Sequence, residues 1–143
     1  MNRVAGFIAL LVMLTSSLLS QRTKQVSVPD MVLITGGEFS MGQADGEGDE
    51  RPVHKVMLSD FYLGKYEVTV AEHPLFCQDT KREMPPAPKW GWVDNHPIVN
   101  TTWYDAQAYV EWLNSKLSKA FRLPTKAEFE YDIGNGGKTG TFP

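Results

Sequence analysis

Alternation of apolar and polar side chains runs through residues 31–68 and predicts β-structure for the N-terminal part of the fold. The apolar run Met31–Ile34 is followed by apolar residues at alternate positions, at Phe39 and Met41, Val56 and Leu58, Phe61 and Leu63, and Tyr66 and Val68. A period of two places these side chains on one face of a strand. Gly36 and Gly37 separate the first two runs, and this arrangement is typical of a β-hairpin. We therefore predict a hairpin that turns at these glycines.

Helical signals follow in the C-terminal part of the chain. Thr102 is the predicted N-cap of one helix, with Asp105 favourable in its first turn. Thr125 and Glu128 have the spacing of a capping box and predict a second, shorter helix that ends at Gly134. The apolar stripe predicted for the first helix consists of Trp103, Ala106, Val110, Leu113 and Leu117.

The segment between the strands and these helices is harder to assign. Thr69 and Glu72 also have capping-box spacing, but Pro74 falls in the second turn of the helix they would start. We expect that helix to be distorted or to begin nearer Pro74. Residues 79–99 contain four prolines and two tryptophans and predict an irregular loop. This loop is interpreted either as a functional loop or as a surface loop that is held in place by its own tryptophans, Trp90 and Trp92.

Composition excludes several classes of protein. The chain has 143 residues, which predicts one domain, and its net charge of −3 gives no basic excess for nucleic-acid binding. There is one cysteine, Cys77, which excludes a disulfide framework and any mechanism that needs two thiols from this chain.

Residues 1–20 have the pattern of a secretory signal peptide. Arg3 supplies a positive charge, residues 4–14 form an uninterrupted run of apolar or small residues, and Ser17 and Ser20 are small residues at which cleavage can follow. The run is short for a transmembrane helix, and an uncleaved N-terminal anchor is the alternative. We expect a secreted or periplasmic protein that meets a membrane only through this segment, with residues 21–30 as a linker.

No group of side chains stands out as a metal site. The acidic loop 45–50 suits a calcium ion in charge but lacks the glycine and closing glutamate of a helix-flanked calcium loop, so a solvated turn is favoured. His54, His73 and His96 form no ligand pair at helical spacing. The sequence therefore predicts no catalytic, cofactor-binding or metal-ligating residue.

Two further predictions concern a thiol and several charged side chains that lie in apolar segments. Cys77 follows Phe76 in an apolar stretch and is predicted to be a buried or half-buried, inert thiol, although a bridge to another chain stays open. Charges inside apolar segments are costly unless they are paired, so we hypothesise that Arg122 pairs with a carboxylate inside the fold, with simple exposure as the alternative. The charged residues inside such segments are Glu67, Arg122, Glu128 and Glu130. Trp103 is interpreted as a core residue.

Six segments in a fixed order resemble one known family. They are MVLITGGEFSMG at 31–42, GEGDERPVH at 46–54, YEVT at 66–69, NHPIVN at 95–100, WYDAQA at 103–108 and RLPTKAEFEY at 122–131. Together they resemble the sulfatase-modifying factor family, also called the formylglycine-generating enzyme family. The resemblance implies an α+β fold related to C-type lectins, with much irregular structure.

The resemblance also implies a function and its cofactors. The family's best-known activity is the oxidation of a sulfatase cysteine to formylglycine with molecular oxygen and copper, and the complete domain also binds structural calcium. The family's reactive cysteine pair and calcium loops lie beyond these motifs, so no such residue is carried over to this chain, and Cys77 is not in their context. The implied partner is a sulfatase or another exported protein. The alternative is a non-catalytic, lectin-like binding or scaffold module.

Departures from the family pattern lead to an expectation about completeness. Thr35 and Phe129 replace a usual proline and tryptophan, and Phe142 with Pro143 resembles the start of a family motif that is cut after its second residue. We therefore interpret residues 31–143 as the truncated N-terminal part of the domain, and we expect low stability if the protein ends there.

Overall fold

The computed structural model describes residues 25–45 and 51–134. Its strands are β1 (Met31–Ile34), β2 (Gly37–Met41), β3 (His54–Leu58) and β4 (Phe61–Gly64), and its helices are α1 (His73–Thr80), α2 (Trp103–Leu117) and α3 (Lys126–Gly134). The predicted α+β class is confirmed. The predicted signal peptide, most of the acidic loop and the closing Phe-Pro pair lie outside the described residues. Within the described ranges, no helix has the length and apolarity needed to cross a bilayer.

The hairpin predicted at Gly36 and Gly37 is wrong. β1 pairs with β4 and β2 pairs with β3, both antiparallel and in one continuous register, for example Val32 opposite Leu63 and Phe39 opposite Val56. Segments 31–41 and 54–64 thus form one long two-stranded ribbon that is interrupted in its middle. Residues 42–53 connect β2 to β3.

Gly36 lies at the interruption for a steric reason. A Cβ atom on Gly36 would lie 2.2 Å from the carbonyl oxygen of Leu58 and 2.5 Å from the carbonyl carbon of Ser59. The backbone N–H of Gly36 also donates to the Asp60 carboxylate at 2.8 Å. The glycine therefore allows the two backbone segments of the ribbon to approach closely at the point between its two halves.

Helix α1 begins at His73 with Pro74 in its first turn, as the second of the two predictions for this segment stated. Proline is tolerated there because the first-turn N–H groups have no partner within the helix. The Glu72 carboxylate accepts from the N–H and the hydroxyl of Thr69, at 2.8 and 2.7 Å. These bonds close a turn that leads into the helix.

Helix α2 has the predicted N-cap, and the predicted stripe is confirmed at Leu113, which is buried, and at Leu117, which packs against the core, but not at Trp103. Thr102 and Asp105 form a reciprocal capping box. The buried residues of α2 are Tyr109, Trp112 and Leu113, which pack with Phe76 and Cys77 of α1 into the main core cluster. Trp103, predicted to be in the core, is 62% exposed.

The loop between α1 and α2 is irregular, as predicted, and of its two tryptophans Trp92 is half-buried whereas Trp90 does not pack into the fold. Trp90 is 70% exposed. Backbone bonds hold the end of the loop against residues 68–70: Val70 donates to the His96 carbonyl, and Ile98 donates to the Val68 carbonyl, both at 2.9 Å. The Asn100 side chain donates to the Pro86 carbonyl at 2.8 Å and closes the loop on itself.

Replacement of Gly36 by alanine tests the steric account of the ribbon. We expect Gly36→Ala to lower the free energy of unfolding by about 1–3 kcal/mol, because the added methyl group meets rigid backbone rather than a movable side chain. Urea denaturation followed by circular dichroism measures the change. Gly134→Ala is the matched control, since nothing lies within 4 Å of a Cβ atom there. Equal stability of the two variants would contradict the account.

Candidate functional site

A cleft of about 1240 Å³ lies between the β1–β4 half of the ribbon and helix α2. One wall is formed by β1, β4 and the segment after β4, and another by α2 and the segment that follows it. The lining side chains are mostly apolar and include Met31, Tyr62, Leu63, Val68, Val110, Leu113 and Phe121. Such a cleft is suited to contact with apolar or polypeptide surfaces.

Arg122 and Glu128, which form an ion pair, both line this cleft. The two guanidinium nitrogens of Arg122 donate to the two carboxylate oxygens of Glu128, one of them at 2.6 Å. The Thr125 N–H and hydroxyl also donate to this carboxylate, at 2.8 and 3.0 Å. The hypothesis that Arg122 pairs with an internal carboxylate is confirmed, and so is the capping box predicted at Thr125.

The charge balance of this pair favours its ionised form. The Glu128 side chain is only 8% exposed, whereas the Arg122 side chain is 60% exposed. The Arg122 guanidinium lowers the pKa of Glu128 to about 2, burial opposes this shift, and the Thr125 donors add to it. The same hydrogen bonds raise the pKa of Arg122. A carboxylate held in this way has a structural role and is poorly suited to accept a proton near neutral pH.

Glu67 and Glu130, the other two glutamates in apolar segments of the sequence, differ in their surroundings. Glu67 is exposed. Glu130 is half-buried and accepts a bond from the Gly42 N–H at 2.6 Å. Its neighbour Tyr131 donates to the Thr35 carbonyl at 3.0 Å and packs edge-to-face on Phe39. Glu130 and Tyr131 therefore attach α3 to the β2 end of the ribbon.

Cys77 is buried in the core, as predicted. Its Sγ lies 3.7 Å from the Met84 Sδ and 3.6 Å from the Glu83 carbonyl oxygen. Burial raises the pKa of the thiol, Arg82 opposes this, and Asp105 adds to it. Because the thiolate is the reactive and metal-binding form, this environment keeps Cys77 unreactive.

The three histidines are not brought together. His54 and His96 are exposed. His73 is 4% exposed and lies between the rings of Phe76 and Tyr109, at centroid distances of 5.1 and 5.8 Å. Burial lowers the pKa of His73, and Asp105 opposes that shift. The sequence reasoning missed this core histidine, although its spacing of three and four residues from Phe76 and Cys77 indicates a shared helix face.

The donor set in the described residues does not fit the copper or calcium that the resemblance implies for the complete domain. No three His, Cys, Asp or Glu side chains converge within residues 25–45 and 51–134 as metal binding requires. The one thiol in that part of the chain is buried beside a thioether. These residues therefore provide a ligand set for neither metal.

Comparison with known proteins assigns the family. Residues 15–143 match the sulfatase-modifying factor enzyme 1-like domain, and the chain belongs to this family. The chain is 31% identical to the formylglycine-generating enzyme of Streptomyces coelicolor, over 80% of this chain and 49% of that protein. It is also 32% identical to the serine/threonine-protein kinase Pkn1 of Chlamydia pneumoniae, over 83% of this chain and 21% of the kinase.

A solved structure has the same fold. PvdO from Pseudomonas aeruginosa matches with a TM-score of 0.65 and 29% sequence identity, over 80% of this chain and 50% of PvdO. The fold predicted from the six motifs is thereby confirmed. The chain spans about half the length of PvdO and of the Streptomyces enzyme.

The ion pair at Glu128 predicts a specific dependence of stability on pH. The folded-state pKa of Glu128 is lowered from 4.5 to about 2, so its contribution is complete above pH 4.5 and is lost as the pH falls toward 2. We expect Glu128→Gln to lower the free energy of unfolding at pH 7 by about 1–3 kcal/mol. The difference from the parent protein should shrink as the pH falls.

Urea denaturation between pH 7 and pH 2.5 tests this expectation. Glu111→Gln, on an exposed position of α2, is the control and should track the parent protein at every pH. A constant difference between Glu128→Gln and the parent across this range would show that the carboxylate charge is not what stabilises the turn.

The buried position of Cys77 predicts slow thiol chemistry. We expect a disulfide reagent such as dithionitrobenzoate to react at least about tenfold more slowly with the folded chain than with the chain in urea, because reaction requires local opening of the core. The absorbance of the released thiolate measures both rates. Equal rates would place the thiol at the surface.

Proposed function

We propose that this chain is the N-terminal part of an exported oxidase of the formylglycine-generating type, which oxidises a cysteine of a sulfatase or of another exported protein. The observation that carries the proposal is the match to the Streptomyces formylglycine-generating enzyme over 80% of the chain. A mouse formylglycine-generating enzyme is also similar, at 25% identity over 87% of the chain. The apolar pattern of residues 1–20 supports export.

In this proposal the chemistry belongs to a part of the family domain outside these 143 residues. Cys77 is buried and its pKa is raised, which disfavours the thiolate that oxidation and metal binding require. The described residues supply a scaffold, in which the Glu128 carboxylate orders the turn before α3 and α3 holds the ribbon. The reactive thiols and the copper would come from the remainder of the family domain.

The second candidate is a non-catalytic module for binding or scaffolding. It is favoured by the Chlamydia Pkn1 proteins, in which 83% of this chain matches only 21% of a protein named as a kinase. In those proteins the matched region is one part of a much larger chain. The name of that protein gives the matched part no oxidase chemistry, and a fold by itself implies no activity.

The protein encoded by the complete reading frame distinguishes the two candidates. It is loaded with copper and incubated with a sulfatase-derived peptide that contains the target cysteine, and mass spectrometry follows conversion to the aldehyde. The oxidase proposal expects conversion, and it also expects a pair of cysteines near the C-terminal end of the frame. Absence of both would refute it and support the non-catalytic module.

Cys77→Ala in the same protein tests the assignment of the chemistry. We expect the variant to keep its rate within about a factor of two, because a group that does not touch the reacting atoms contributes nothing specific to the transition state. Circular dichroism verifies that the variant is folded. A loss of about 100-fold or more in a folded variant would make Cys77 a catalytic residue.

A further inference from the structure

One imidazole is enclosed in the core between helices α1 and α2. His73 is the first residue of α1 and is 4% exposed. Its ring stacks on Tyr109 at an interplanar angle of 9° and meets Phe76 edge-on at 62°. Within the described part of the chain, its Nδ1 atom is buried and has no hydrogen-bond partner. Because both ring nitrogens carry a proton in the imidazolium form, protonation places a buried, unpaired N–H donor in the core.

The position of His73 on α1 also disfavours a positive charge. The first N–H groups of a helix give its N-terminus a partial positive charge, which repels a cation there. Glu72 precedes His73, but its carboxylate accepts from the N–H and the hydroxyl of Thr69 and does not cap α1. An imidazolium at the start of this helix is therefore opposed by the helix itself as well as by burial.

One carboxylate of α2, Asp105, acts in the opposite direction. Its charge favours the imidazolium, but this charge is already shared with other groups. Asp105 accepts from the N–H and the hydroxyl of Thr102 and pairs with Arg82 at 3.3 Å. The Arg82 guanidinium lies 5.8 Å from the centre of the Phe76 ring, so a positive charge already faces this part of the core.

Tyr109 and Cys77, the other titratable side chains of the core cluster, are uncharged. Burial raises the pKa of Tyr109 to about 12 and also raises the pKa of Cys77, so both keep their protons near neutral pH. Neither of them supplies a negative charge that would balance an imidazolium. Burial is therefore the dominant influence on His73 and lowers its pKa, and Asp105 opposes the shift.

Helix α1 depends on this core for its place in the fold. It has eight residues, and a helix of this length is marginal in water by itself. Its Phe76 and Cys77 are held in the cluster with Tyr109 and Trp112 of α2. We propose that His73 is an acid-sensitive switch, whose protonation releases α1 from α2 while α3 stays packed on β2 and β3.

Release of α1 changes two accessible surfaces of the molecule. Tyr109, which stacks on His73, lines the cleft, and so do Thr69 and Glu72 in the turn that leads into α1. Opening of α1 therefore removes the support of one cleft wall. It also uncovers Cys77, which is buried on the same helix. The switch goes beyond the proposed function and does not depend on it.

The range from pH 7 to pH 5 isolates the switch from the carboxylates. A histidine with a lowered folded-state pKa leaves the closed form most stable above 6.5, and this stability is lost as the pH falls from 6.5 toward the folded-state value. The contribution of Glu128 is complete above pH 4.5. A hydrogen bond from Lys116 lowers the pKa of Asp79. Hydrogen bonds from Thr102 lower the pKa of Asp105, so the ion pairs between α1 and α2 stay charged in this range.

The reaction of Cys77 with 4,4′-dithiodipyridine, a disulfide reagent that also reacts in acid, measures the release of α1. The rate is measured on the purified protein at pH 7, 6 and 5 and divided by the rate in urea at the same pH, which removes the pH dependence of the reagent. We expect this ratio to rise at least about fivefold from pH 7 to pH 5, since each pH unit between the two pKa values changes the opening equilibrium by up to about tenfold.

Two histidine variants assign the effect. His73→Phe keeps an aromatic ring and cannot be protonated, so it should abolish the rise. His96→Gln removes an exposed histidine and should keep the rise unchanged. A folded His73→Phe protein that keeps the rise would overturn the proposal, and so would a ratio in the parent protein that does not change with pH.

Hydrogen exchange of the parent protein distinguishes local release from general unfolding and needs no variant. We expect the protection factors of the α1 amides to fall at least about fivefold from pH 7 to pH 5, whereas those of the α3 amides stay within about a factor of two. Equal loss of protection in both helices, or no loss in α1, would overturn the proposal. None of these measurements depends on oxidation of a substrate, so failure of the activity assay and failure of the switch are separately recognisable.

Discussion

The buried Glu128 carboxylate is the interaction on which the arrangement of the chain depends. Four donors from Arg122 and Thr125 converge on its two oxygens and fix the turn that starts α3. With that helix placed, Glu130 reaches the N–H of Gly42 and Tyr131 reaches the carbonyl of Thr35. These bonds join residues 88 and 96 positions apart, so one local, charge-assisted turn sets a long-range connection across the fold.

Local signals in the sequence predicted the elements that local bonds stabilise. The N-cap at Thr102, the capping box at Thr125 and the start of α1 near Pro74 each depend on residues within four positions of one another. The pairing of Arg122 with an internal carboxylate was also predictable, because a charge in an apolar segment needs a partner. The partner, Glu128, is only six residues away.

The predictions that are wrong concern contacts between residues that lie far apart in the sequence. The two glycines at 36 and 37 resemble a hairpin turn. A glycine is needed at position 36 because the backbone of Leu58 and Ser59 lies too close for a side chain. Residues near Gly36 in the sequence give no sign of that contact. The helical stripe of α2 placed Trp103 inward, yet the buried face is set by Phe76 and Cys77 of α1, which receive Tyr109 and Trp112 instead. Because α2 carries aromatic residues on more than one face, tertiary packing decides which face is buried.

The described parts of the fold differ in how completely their apolar side chains are covered. The core around Cys77 is closed, with Phe76, Tyr109 and Trp112 in mutual edge or tilted contacts, so its single thiol is a packing group. The β1–β4 half of the ribbon is open on an apolar face beside a large cleft. A closed core excludes reagents, whereas an open apolar surface requires a cover. The two regions adjoin, because Tyr109 and Leu113 belong to the core cluster around Cys77 and also line the cleft, so the closed core forms one wall of the open cleft.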